Sequence, residues 1–243
     1  MAPTSGGTMR TWSMGTLLML GITATASGQA AEALRPPGFH AGGGIIFAKP
    51  TGEFADYVNI GYGLAGHAVF NPDPEGVFGL RADGMFIIYG SETNRYQLVP
   101  LINVDVTTTN QIAAFQFGPQ VTLGTGSVQG YGYGQLGFSY FATTSSVEGS
   151  GNIESFANTT NFDDLTFATS GGGGIRFRLS SGWTPVLLDL GVRYMSNGRA
   201  RYLREGSIEI TGNTATITPI ESETNLVVFQ IGVTVGIRGP RKP

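Results

Sequence analysis

The sequence predicts an all-β chain, an eight-stranded antiparallel up-and-down barrel that crosses a membrane. Three observations carry this expectation. Segments of roughly ten residues alternate apolar with polar side chains and recur to the end of the chain. The links between them alternate between short and long. The chain also opens on a segment patterned for export, yet holds no later apolar run long enough for a spanning helix, which needs about 20 residues.

Residues 1–31 carry a single charge, Arg10. The apolar stretch Leu17-Leu18-Met19-Leu20-Gly21-Ile22 follows, then small residues from Ala24 to Ala31. A basic start, a short apolar centre and a small-residue exit describe a signal peptide cleaved near Ala30 or Ala31. That leaves 32–243 as one barrel domain. The chain has no cysteine, which excludes a lipid anchor on a cysteine, disulfides and thiolate metal ligands. Its formal net charge of −3, without Lys/Arg runs, gives no footprint for nucleic acid.

The strands are expected, in order, at 39–48, 58–70, 78–89, 112–123, 129–142, 165–179, 186–195 and 226–237. Val186 to Tyr194 is the clearest copy: every even position is apolar, while odd positions include Asp189, Gly191 and Arg193. Successive side chains of a strand point to opposite faces, so one face is greasy and the other carries charge. Tight links fall at 71–76, 124–127 and 180–185, and longer ones at 49–57, 90–111, 143–164 and 196–225. Three short turns and four long loops fit an even-stranded barrel with both ends on one side, its turns periplasmic and its loops extracellular. Closing the sheet leaves no unpaired edge in lipid.

The faces give the same orientation throughout. Phe78, Leu80, Ala82, Gly84, Phe86 and Ile88 oppose Gly79, Arg81, Asp83, Met85, Ile87 and Tyr89. Val58, Ile60, Tyr62, Leu64, Ala68 and Phe70 oppose Asn59, Gly61, Ala65 and His67. Ala113, Phe115, Phe117, Pro119, Val121 and Leu123 oppose Gln116, Gln120 and Thr122. The apolar face carries no charge in these segments, and lipid penalises a midplane Arg or Lys by about 2–4 kcal/mol, so this face is expected to be the outer one.

The chain resembles the small outer-membrane β-barrels of Gram-negative bacteria, the OmpA-like and OmpX-like barrels. Lys49-Pro50-Thr51-Gly52-Glu53-Phe54-Ala55-Asp56-Tyr57 is similar to their first loop and Ile60-Gly61-Tyr62-Gly63-Leu64 to the start of their second strand. Gln230-Ile231-Gly232-Val233-Thr234-Val235-Gly236-Ile237 resembles their C-terminal assembly signal. The resemblance implies residence in the cell outer membrane among lipid and lipopolysaccharide, and contact with the barrel-assembly machinery during insertion.

An eight-stranded barrel encloses just enough room for side chains. Arg81, Asp83, Arg176, Asp189 and Arg193 are expected inside as a charge network, with Gln116, Gln120, Tyr131 and Tyr133 beside them. Isolated buried charge is costly, so these groups are expected to pair and plug the lumen. Arg193 is expected to depend on Asp189. His40 and His67 are read as packed lumen residues, since no G-x-S-x-G or other nucleophile motif accompanies them. The run Gly171-Gly172-Gly173-Gly174 lacks the Lys-Ser/Thr of a phosphate loop and is read as permitting strong bending or close packing against a large neighbour. Asp163, Asp164 and Glu148 match no calcium motif. No catalytic, cofactor or metal site is expected. The function expected is structural or surface-interacting, with loops displayed outside the cell; the alternative is a small porin or transporter for small or apolar solutes.

Overall fold

Period-two alternation resolves into strands that close on themselves. The structure, a computed structural model, describes residues 38–99, 102–124, 126–149, 155–180, 184–204, 206–211 and 214–237. The signal peptide expected over 1–31 lies outside the described residues.

The strands are β1 (Phe39–Pro50), β2 (Gly61–Phe70), β3 (Phe78–Val99), β4 (Ile102–Leu123), β5 (Val128–Gly149), β6 (Ser155–Ser180) and β7 (Val186–Asn197). Four short strands follow, β8 (Arg199–Tyr202), β9 (Ile208–Thr211), β10 (Thr214–Ile217) and β11 (Ile220–Glu223), and then β12 (Leu226–Ile237). The closed barrel runs β1-β12-β7-β6-β5-β4-β3-β2. Its seam is an antiparallel pairing of first and last strands, from Phe39↔Ile237 to Pro50↔Leu226. β8 pairs with β11, and β9 with β10, outside that ring.

Tight turns join strands at one end, here the lower end. Asp73 accepts hydrogen bonds from the amides of Val77 (2.7 Å) and Phe78 (3.1 Å), which fixes the β2–β3 turn. Gly124 leaves β4 at φ +86°, a left-handed conformation that glycine adopts without steric cost.

The outer surface is apolar. Leu64, Leu80, Phe115, Phe117, Leu165 and Leu190 are exposed on it, with Phe39, Phe70, Phe78, Tyr140 and Tyr194 towards strand ends. Among the described residues no charged side chain interrupts this belt, and Lys49 and Asp163 mark its upper edge. One residue departs from the expected faces. Val58 is buried, not outward, because β2 begins only at Gly61 and residues 57–60 are a connecting segment. Leu190→Arg places a guanidinium in the middle of the belt. It should destabilise the protein by about 2–4 kcal/mol in unfolding titrations from vesicles; unchanged stability would contradict a lipid-facing belt.

Two of the expected long loops are strands. β3 and β4 continue past Tyr89 and Ile112 to Val99 and Ile102, and β5 and β6 continue past Ala142 and Leu165 to Gly149 and Ser155. Register shifts at Ile88/Gly90 and Thr143/Thr144 mark where these hairpins leave the barrel. The ten residues from Gly90 to Val99 add roughly 33 Å of strand at ~3.3 Å per residue. β3 to β6 therefore project from the upper end as a four-stranded sheet.

Candidate functional site

Side chains fill the lumen in two layers. In the lower layer Asp83 sits at the centre. Arg81, two residues earlier on the same face of β3, grips it with two bonds, Nε to Oδ2 (2.6 Å) and Nη2 to Oδ1 (2.9 Å). Gln135 Nε2 donates to Oδ2 (2.6 Å), and Arg193 reaches from β7 across the lumen to Oδ1 (2.5 Å). Asp189 accepts from Tyr131 (2.6 Å), Arg176 Nε (3.1 Å) and Thr234 (2.9 Å). Arg81 also donates to Gln120 (3.1 Å), and Ser170 to Gln116 (2.9 Å).

Arg81, Asp83, Arg176, Asp189 and Arg193 all lie in this interior, each at most 3 % exposed. Their pairing differs from expectation. Arg193 depends on Asp83, and Asp189 on Arg176. The reason is distance along the strand: Asp189 and Arg193 share a face of β7 four residues apart, or about 13 Å. Arg176 instead faces Asp189 directly in the β6–β7 register.

Three guanidinium groups against two carboxylates leave one positive charge in excess. Two stacked tyrosines face it. Tyr131 and Tyr133 lie 6.0 Å apart with planes 13° from parallel. Arg176 lies 4.3 Å from the centre of the Tyr131 ring, and Arg81 4.5 Å from that of Tyr133. The negative faces of the rings offset part of the excess. The glycine run makes room for them: a Cβ at Gly172 would lie 2.7 Å from the Tyr133 hydroxyl, and one at Gly174 2.5 Å from that of Tyr131. The histidines extend the polar layer. His67 Nε2 lies 3.0 Å from the Thr234 hydroxyl. Since that hydroxyl donates to Asp189, the ring nitrogen donates to it. His40 Nδ1 lies 3.2 Å from Asn71 Oδ1.

The upper layer is apolar, and the sequence did not signal it as a cap. Ile46, Ile87, Ile112, Met195, Leu226 and Val228 point inward from the strands and are fully buried. The first loop closes over them. Its 3-10 turn Gly52–Asp56 buries Phe54 completely, 5.0 Å from the Tyr202 ring, 5.7 Å from Tyr89 and 6.2 Å from Phe141. The cap is tied to the last loop: Thr51 N donates to Asn225 O (2.9 Å), Glu223 N to Glu53 Oε2 (3.1 Å) and Tyr89 Oη to Leu203 O (3.2 Å). A lone Phe54 in a polar stretch, with Ala200, Tyr202 and Leu203 in another, was the available signal.

Above the barrel, the outward face of the projecting sheet carries short neutral polar side chains in register. Thr93, Thr107, Ser146 and Asn158 form one row, and Thr109, Thr144 and Thr160 another. Beyond them Arg95 holds Asp105 through two bonds (2.7 and 2.9 Å), and these bonds lower the carboxyl's pKa. Asp164, one of the loop acids, accepts from Arg201 N (2.7 Å). Among the described residues no group of three or more His, Asp or Glu side chains is placed to hold a metal.

No family model matches the chain, and no curated protein matches it. Among solved structures the chain is similar to Ail, the attachment invasion locus protein of Yersinia pestis, at 11 % identity. That match covers 83 % of this chain and 99 % of that one, with a TM-score of 0.43. It is similar to Neisserial surface protein A (14 % identity, 82 % and 97 % covered, TM-score 0.42). It is also similar to the outer membrane protein OprG from Pseudomonas aeruginosa (12 %, 84 % and 98 %, 0.46). The barrel assignment rests on this chain's own strand register.

Proposed function

We propose that this chain is an outer-membrane barrel whose role lies at the cell surface, the barrel serving as a closed anchor for the sheet it displays. The filled lumen carries this reading. A charge network below and an aromatic cap above occupy the interior. A closed barrel with a charge-free apolar belt suits lipid, where every backbone group must be paired internally. The projecting sheet offers what an interaction surface needs: paired strands, a polar face with two rows of short neutral side chains and, among the described residues, outer edges on upper β3 and β6 with no partner strand. No catalytic role is assigned to either histidine, since His40 is engaged by Asn71 and His67 by Thr234.

The test is surface accessibility. The chain has no cysteine, so a single one reports its own position. Ser146→Cys, on the projecting sheet, should react with a membrane-impermeant maleimide on intact cells. Glu75→Cys, in a lower turn, should react only after the outer membrane is opened. The reverse pattern would overturn the surface role.

A further inference from the structure

A cavity of about 440 Å³ opens through the side of the barrel at the upper edge of the apolar belt. It exists because neighbouring strands stop at different heights. β2 begins at Gly61, and its last pairing with β3 is Tyr62↔Ile88. β3 continues upward through the register shift at Ile88/Gly90, so its edge there has no partner strand among the described residues. The segment from Tyr57 to Ile60 crosses the gap and walls the notch.

The lining divides by chemistry. Ile60, Tyr62 and Ile88 lie at the level of the belt, and Ile60 and Tyr62 are more than half exposed. Ser91 and Asn110 come from the strands above, and Arg204 from the loop after β8. Asn110 is 2 % exposed. Its Oδ1 accepts from Thr143 (2.7 Å), while its amide nitrogen donates to no described residue and lies beside Gly90, 3.0 Å from where a Cβ would sit. Arg204 rests on the Tyr57 ring, 5.6 Å from its centre. Among the described residues no carboxylate lies within ion-pairing distance of it, and none lines the cavity.

We propose that this notch holds the anionic headgroup of a membrane lipid, with the acyl chain lying along Ile60, Tyr62 and Ile88. The oxyanion meets the Arg204 guanidinium, with the Asn110 amide and the Ser91 hydroxyl as neutral donors. Charge-assisted bonds of this kind are the strong ones. An amphiphile matches both halves of the lining, whereas a soluble anion leaves the lower half uncovered. This inference rests on the reading of the belt as lipid-facing.

Native mass spectrometry of the purified full chain tests it, with dioleoylphosphatidylglycerol, dioleoylphosphatidylcholine and inorganic phosphate as probes. One phosphatidylglycerol should be retained over phosphatidylcholine by about tenfold, because both carry the phosphodiester oxyanion but choline brings a second cation beside Arg204 in a notch whose lining holds no carboxylate. Arg204→Gln should bring the two lipids close to parity. Ser91→Trp, which fills the notch from an exposed position, should do the same. Arg95→Gln removes the same charge from the projecting sheet and should leave the preference intact. Equal retention by the wild type, a preference that survives Arg204→Gln, or one lost equally in Arg95→Gln overturns the site. Displacement of the lipid by millimolar phosphate overturns its lipid character. Heat-modifiable gel migration reports insertion into vesicles separately. A barrel that does not insert removes both this proposal and the membrane reading, whereas equal lipid retention by an inserted barrel removes this proposal alone.

Discussion

Replacing Asp83 by Asn should destabilise the folded barrel by about 3–5 kcal/mol, because it strands charge in a dry interior. Asp83 is the shared partner of Arg81 and Arg193. The substitution leaves both guanidinium groups buried with no carboxylate in place. The measurement is unfolding by urea from vesicles, with the double variant Asp83→Asn/Arg193→Met alongside. The double variant should cost less than the sum of its parts, since the two groups are coupled. Asp189→Asn should couple with Arg176→Met in the same way and not with Arg193→Met. Strict additivity for Asp83 and Arg193 would contradict the pairing across the lumen.

Phe54→Ala should cost about 3–5 kcal/mol, as expected for deleting a fully buried phenyl ring. The cost should fall on the cap and not on the whole barrel. Phe54 belongs to a short turn, and its ring packs between Tyr89, Phe141 and Tyr202. The turn has an alternative, which is to lift away into water while the strands stay paired. Hydrogen exchange reads this directly. The amides of Tyr57 and Val58 donate to Phe54 O at 3.2 and 3.0 Å, and both should exchange much faster in the variant. The β1–β12 seam should keep its protection. Loss of protection along the seam as well would mean that the cap and barrel fold as one unit.

The membrane part of the fold was legible because the two faces of each strand meet different media. Where lipid lies on one side and the lumen on the other, alternation is enforced, and Val186 to Tyr194 can be read almost by eye. The signal ends where the medium changes. Ser91-Glu92-Thr93-Asn94-Arg95 and Thr107-Thr108-Thr109 are at least partly exposed at successive positions, so water reaches both faces. No face must be apolar there, so period-two patterning disappears while the ladder of hydrogen bonds continues. That is why segments 90–111 and 143–164 read as loops, while their described residues extend the paired strands β3–β4 and β5–β6.

The interior was legible in part, for a related reason. Alternation puts Arg81, Asp83, Arg176, Asp189 and Arg193 on the inner face of their strands but says nothing of height, and height decides the partner. Asp189 and Arg193 lie on one strand at different levels, so each pairs with a residue from another strand at its own level. The aromatic cap is harder still. Phe54 reaches the lumen through a turn outside the sheet, and its contacts Tyr89, Phe141 and Tyr202 are distant in sequence. No local period encodes such a contact. The tyrosine–glycine packing was half visible: the glycine run allowed either strong bending or a large neighbour, and nothing local named Tyr131 and Tyr133 as that neighbour.

The proposed surface role requires a lumen closed by its own side chains. Single-channel recording of the purified wild-type protein in planar bilayers, at neutral pH and high salt, tests this most directly. The wild type should show no steady conductance, and openings should appear only when the network and the cap are removed together, as in Asp83→Asn/Phe54→Ala. Steady ion flow through the wild type, unchanged in that double variant, would contradict the closed lumen and would make the barrel a pore.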